Sequence, residues 1–184
     1  MINLAIIGMG GFAGSHHEAV KALESDGLCK LLCACDPYTE AFEEQINKWN
    51  LQGRGVGIFN DYLDMLDVYK DELDIVTIPT PIPLHAPMHK ACVERELAVY
   101  LEKPPTLDYE ELNRMLDVEK SAVKLTNVGF NFIIETERQR IKKRIVNNEF
   151  GKLLEVHLFG NWPRTDLYFN RSNWAGKLLL NDSL

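Results

Sequence analysis

Hydrophobic and polar positions in this chain fall into short blocks of two kinds. Residues 2–7, "INLAII", are nearly all apolar and predict a buried strand. Residues 12–25 place Phe12, Ala19, Ala22 and Leu23 at helical spacing and predict a helix. "KLLCACD" (30–36) predicts a second strand, and "YTEAFEEQINKWN" (38–50) a second helix. "GRGVG" (53–57) is a glycine-rich turn before a short strand near Ile58–Phe59. "DYLDMLD" (61–67) predicts a short helix with Asp61 as its N-cap. "LDIVTI" (73–78) predicts a strand that Pro79, Pro81 and Pro83 bring to an end. A helix over 84–96 and a strand "AVYLEK" (98–103) follow, and Pro104 and Pro105 stop that strand. Asp108 caps a predicted helix over 109–121, and "KLTNVGF" (124–130) predicts another strand.

Strands alternating with helices across short links predict an α/β fold: a doubly wound parallel sheet of Rossmann type with right-handed crossovers. The strands are apolar throughout, as they must be when helices cover both faces of the sheet. After about residue 130 the pattern changes. A helix over 134–148 leads into "KLLEVHLFGNWP" (152–163), a longer strand with partial alternation. The expected organisation is a Rossmann domain over 1–128 and the start of a second domain with a more open sheet over 129–184.

Composition narrows the function classes. The net charge is −7 and no Lys/Arg stripe stands out, which argues against nucleic acid as a partner. The basic stretch "RQRIKKRIV" is spaced as the solvated face of a helix. No apolar run approaches the roughly 20 residues of a membrane helix, and no signal peptide is visible, so the expected location is the cytoplasm. Cys29, Cys33, Cys35 and Cys92 form no C-x-x-C pair, and they read as buried thiols in a reducing compartment. His16 and His17 are adjacent and cannot share a helix face, so no metal site is expected.

Candidate chemistry begins in the first turn. Gly8-x-Gly10-x-x-Ala13 follows a strand and opens a helix, the context of a dinucleotide fingerprint. Gly8 permits the tight turn, Gly10 lets a pyrophosphate approach the backbone, and Ala13 lets the helix pack on the strand. Asp36 closes the second strand, where an acid accepts hydrogen bonds from the adenosine ribose and repels a 2′-phosphate. The residues that follow are Pro37 and Tyr38, with no arginine, so NAD is expected over NADP. "IPTPIPLHAP" and "LEKPP" end two later strands and border the same crevice. There Lys103 is a candidate proton donor and acceptor.

"GMGGFAGSHH", "PTPIPLHAP", "YLEKP" and "VGFNF" together resemble the glucose-fructose oxidoreductase / inositol dehydrogenase / MocA family of NAD(P)-dependent oxidoreductases. The resemblance runs over essentially the whole chain. It implies hydride transfer between a nicotinamide and a hydroxyl-bearing carbon of a sugar or cyclitol. It implies that Lys103 is the acid/base, that Glu102 supports the nicotinamide side, and that Thr80, Pro81 and His85 border the cofactor. By the same resemblance Gly11 and Phe12 belong to the cofactor turn, Asn131 faces the nicotinamide ribose, and the Lys103–Pro104 bond is cis. Asp182 stands near the family's acidic position, no histidine follows His157, and family members are nearly twice as long. The chain is therefore expected to be a truncated form that binds NAD, turns over poorly and self-associates through its second domain. An NAD-binding sensor or scaffold without redox turnover is the alternative.

Overall fold

The structure is a computed structural model, and it describes residues 1–171 and 175–176. Six strands carry the fold: β1 (Ile2–Ile7), β2 (Cys29–Cys35), β3 (Gly57–Phe59), β4 (Ile75–Ile78), β5 (Ala98–Leu101) and β6 (Thr126–Val128). The helices between them are α1 (Ala13–Ser25), α2 (Glu43–Lys48), α3 (Tyr62–Tyr69), α4 (His85–Val93) and α5 (Tyr109–Glu119). All pairings are parallel, in the order β3-β2-β1-β4-β5-β6. The order reverses between β1 and β4, and the crevice beyond their carboxyl ends is where such a sheet takes a ligand.

The two-residue period of β1 divides the core. Leu4 and Ile6 pack with Val20, Ile46, Trp49 and Leu51 on the α1/α2 side. Ala5 and Ile7 pack with Met65, Leu66, Met88 and Cys92 on the α3/α4 side. In β2 the register slips by one residue between Leu4 and Ala5, leaving Leu32 unpaired with β1. Leu32 and Cys33 then share a face with Cys35, as a β-bulge allows. Asp61 caps α3 through bonds from Leu63 N–H (2.7 Å) and Asp64 N–H (3.2 Å). Asp108 caps α5 through Glu111 N–H at 2.7 Å.

The described chain separates into two compact units, residues 1–130 and 131–184. The second holds a 3₁₀ turn over Asn131–Ile134, α6 (Thr136–Val146) and α7 (Asp166–Phe169). In this unit Arg138 lies over Phe132 at 4.9 Å and Arg144 over Phe150 at 4.4 Å. The strand expected over 152–163 does not form; residues 153–165 are neither helix nor strand. A strand exists only when its N–H and C=O groups meet a neighbour's, and no described segment pairs with this one. The helix expected over 38–50 is also broken, into a 3₁₀ turn (Thr39–Phe42) and the short α2. No helix among the described residues is long and apolar enough to cross a membrane.

Candidate active site

The glycine turn is built by the sheet beneath it. Gly8 N–H donates to Cys35 C=O at 2.6 Å, and Met9 N–H donates to Asp36 Oδ2 at 2.9 Å. The turn is thus fastened to the end of β2 at two points. Gly8 has φ +119°, which side chains rarely adopt, and a Cβ there would lie 3.6 Å from Thr80 Cγ2 and 3.7 Å from Ala13 Cβ. Thr80 therefore faces the turn across the gap between β1 and β4. Gly10 carries a packing constraint as well. Its missing Cβ faces the Phe42 ring at 3.0 Å, so here the small residue serves packing against the segment after β2. The open position is Gly11, with φ +55° and nothing within 4 Å of its would-be Cβ.

The start of α1 suits an anion. The helix has no side-chain cap and no acid in its first turn. The N–H groups of Gly10, Gly11 and Phe12 find no acceptor among the described residues, and Phe12 itself is exposed. Unfilled donors and the positive end of the helix dipole meet there, which fits a dinucleotide pyrophosphate. Ala13 is fully buried against the strand. Asp36, nearly buried, accepts Met9 N–H on one oxygen and Tyr38 N–H (3.0 Å) on the other. Each carboxylate oxygen keeps a second lone pair for a ribose hydroxyl.

On the other side of the crevice, Glu102 N–H donates to Ile78 C=O at 3.2 Å, the last rung between the two strand ends. The Glu102 carboxylate turns inward and is buried, while Lys103 is exposed. Glu102 Oε2 accepts Lys103 N–H at 3.2 Å, and the Lys103–Pro104 bond is cis. Pro81 opens the 3₁₀ turn of Ile82–Leu84, which carries the chain from Thr80 to His85 at the start of α4. His85 is buried, with Nδ1 2.9 Å from Pro104 C=O and Nε2 2.9 Å from Thr80 C=O.

Several participants were not legible as site residues in the sequence. His16 Nε2 lies 3.1 Å from Glu102 Oε1, so α1 is tied to the end of β5. Its ring meets Phe12 and Tyr100 edge-on, with centroids 5.7 and 5.6 Å away. Burial, with the Glu102 carboxylate adding to it, pushes the Tyr100 phenol up. Gly129 leaves room for this group: a Cβ there would sit 3.0 Å from both Glu102 Oε1 and Tyr100 Oη. His17 points the other way, stacked on Trp49 at 4.0 Å, with Nε2 3.3 Å from Gly8 C=O. Burial lowers its pKa to about 4, against a smaller upward effect from the Gly8 bond. The signal for His16 was "SHH" one turn beyond the glycines, but nothing local pointed to Glu102, 86 residues on.

Gly8, Gly10, Gly11, Phe12, Ala13, Asp36, Thr80, Pro81, His85, Glu102 and Lys103 all lie in the first unit, at the carboxyl ends of β1, β2, β4 and β5 or the segments that follow them. Asn131 is the first residue of the second unit. Asp182 lies outside the described residues.

A six-stranded parallel sheet in this order, with a glycine turn and an acid at the end of β2, defines a Rossmann-type dinucleotide-binding domain. The model of the oxidoreductase family with an NAD-binding Rossmann fold matches residues 2–130, and the chain belongs to that family, the glucose-fructose oxidoreductase / inositol dehydrogenase / MocA group. It is 30% identical over 171 residues to an inositol 2-dehydrogenase of Mycolicibacterium vanbaalenii, covering 92% of this chain and 47% of that protein. It is 25% identical over 187 residues to a glycosyl hydrolase family 109 protein of Shewanella baltica, covering 95% of this chain and 39% of the relative. The chain thus spans less than half the length of these relatives. Its fold is similar to that of the WlbA dehydrogenase from Bordetella pertussis in complex with NADH and UDP-GlcNAcA. The TM-score is 0.78 at 24% identity, covering 95% of this chain and 52% of that one. It is also similar to myo-inositol 2-dehydrogenase from Lactobacillus plantarum, with a TM-score of 0.66 at 27% identity, over 83% of this chain and 43% of that one.

Proposed function

We propose that the chain carries the cofactor half of an oxidoreductase that moves a hydride between NAD and a sugar- or cyclitol-like alcohol or its ketone. The observation that carries this is that the uncapped, acid-free start of α1 lies beside Glu102-Lys103 at the end of β5, with His16 Nε2 3.1 Å from Glu102 Oε1. Bound there, NAD supplies the hydride acceptor. Gly10, Gly11 and Phe12 donate N–H groups to the pyrophosphate, and Asp36 accepts from the adenosine ribose. Thr80 and Pro81 wall the nicotinamide side, and Glu102 holds the backbone of Lys103; the family resemblance gives Asn131 the nicotinamide ribose. Lys103 takes the hydroxyl proton as the carbinol C–H bond gives up its hydride, and returns it in the reverse direction. NAD is preferred to NADP because Asp36 is followed by Pro37, Tyr38 and Glu40, which offer a 2′-phosphate no cation. The second unit belongs to a domain for substrate and self-association, and the site of action is the cytoplasm.

The relatives' names set the substrate panel: inositols, nucleotide-linked sugars, and aryl glycosides for the glycosyl hydrolase relative. NADH absorbance is followed with each, beside calorimetric NAD binding. Slow turnover at best with one class, abolished by Lys103→Met while NAD affinity stays within about threefold, is the expected result. NAD binding without turnover on any of them would instead make the chain a sensor or scaffold.

A further inference from the structure

We propose that His85 is a positioning residue whose task is to hold Lys103 over the crevice by tying the segments after β4 and β5 together. This rests on the hydride-transfer function proposed above. β4 ends at Ile78 and β5 at Leu101, and one further rung, Glu102 N–H to Ile78 C=O, closes their ladder. Beyond it the two segments have no sheet to align them, yet Thr80 and Lys103 both stand there. His85 bridges that interval. Its ring is 1% exposed, with Nε2 on Thr80 C=O and Nδ1 on Pro104 C=O, each at 2.9 Å. The Thr80 carbonyl belongs to the residue whose side chain faces Gly8, and the Pro104 carbonyl follows the residue that carries the acid/base nitrogen.

The side-chain chemistry fits a bridge. Carbonyl oxygens only accept, so each bond requires a proton on the nitrogen facing it. The two ring nitrogens stand at opposite edges of one rigid ring; a neutral imidazole donates from one and rests the other edge against the second carbonyl, and only the imidazolium donates from both. Glutamine presents both donors on a single nitrogen, so it serves one carbonyl well and not both. Phenylalanine fills the space and serves neither. A histidine kept for packing alone has no need to meet two backbone carbonyls of the crevice. The contrast lies one turn along α4. His89 is as buried as His85, but its Nε2 meets Glu119 Oε2 and Thr126 Oγ1, both at 3.0 Å, and joins α4 to α5 and to the start of β6.

The test compares His85→Phe, His85→Gln and His89→Gln with the unaltered chain. Lysines are reductively methylated with ¹³C, the Lys103 signal is assigned with Lys103→Arg, and its position is followed by NMR. NAD affinity is measured by calorimetry, and kcat and KM with whichever substrate the panel yields. His85→Phe should move or split the Lys103 signal and lower kcat at least tenfold, with KM and NAD affinity within threefold. His85→Gln should fall between it and the unaltered chain. His89→Gln should lower Tm while leaving the Lys103 signal and kcat in place. A folded His85→Phe with an unmoved Lys103 signal and unchanged kcat would overturn the proposal. So would a tenfold loss of NAD affinity, which would make His85 a cofactor contact. If His85→Phe does not fold, His85→Gln decides by the same readouts. If the unaltered chain turns over too slowly to measure, the Lys103 signal alone decides the tie, and the function proposal is judged separately by whether the chain binds NAD at all.

Discussion

Two adjacent histidines in α1 do unlike things, and their difference is measurable. His16 faces Glu102 across the crevice, whereas His17 is enclosed against Trp49 and beneath Gly8. The buried His17 ring stays neutral down to about pH 4, while in the unfolded chain it takes up a proton below about 6.5. The unfolded state therefore binds more protons between those values. The stabilisation is complete above pH 6.5 and is lost as the pH falls to about 4, by roughly 3 kcal/mol in all. Urea unfolding of His17→Phe and the unaltered chain at pH 7, 5.5 and 4.5 should show the variant losing correspondingly less stability on acidification. Parallel curves would mean that His17 is not buried as described. Asp36 and the glycine turn could be read from the sequence because their spacing is local to one strand-turn-helix unit. The His16–Glu102 pair could not, because only the order of strands brings residues 16 and 102 together. The second constraint on Gly10 was hidden for the same reason: Phe42 comes from the far side of β2.

Among the elements, β2 and α4 show burial as the leading influence on side-chain chemistry. Burial pushes the thiols of Cys33, Cys35 and Cys92 up to about 12, and Cys29 upward as well. The thiolate is the reactive form, so none of the four should alkylate in the folded chain at pH 8, and all four should in urea. Mass spectrometry after iodoacetamide treatment reads this directly, and fast labelling of one would place that cysteine outside the core. The caps are likewise legible in the sequence. Asp61 and Asp108 each accept from N–H groups two or three residues on, and Asp108→Ala should cost about 1 kcal/mol in an unfolding titration. A loss near zero would show that α5 is held by packing alone. The central parallel strands β1, β2, β4 and β5 were legible because each is apolar enough to be covered on both sides. The element over 152–163 was not, because partial alternation says which face a strand would bury but not whether another strand stands beside it.

For the whole molecule, the central claim is that NAD lies across the carboxyl edge of β1, β2, β4 and β5, with its pyrophosphate on α1 and its adenosine ribose on Asp36. A ligand that binds only the folded state stabilises it, by about 2.7 kcal/mol at one hundred times its Kd. NAD should therefore raise the unfolding temperature of the chain, and inositol alone should not. Calorimetric titration of NAD and NADP into the unaltered chain and into Asp36→Ala tests the claim most directly. The account predicts saturable one-site binding of NAD, at least tenfold weaker NADP, and a variant in which NAD weakens about tenfold and the gap between the two cofactors closes. Equal binding of both cofactors by the unaltered chain, or NAD binding that ignores Asp36→Ala, would contradict it.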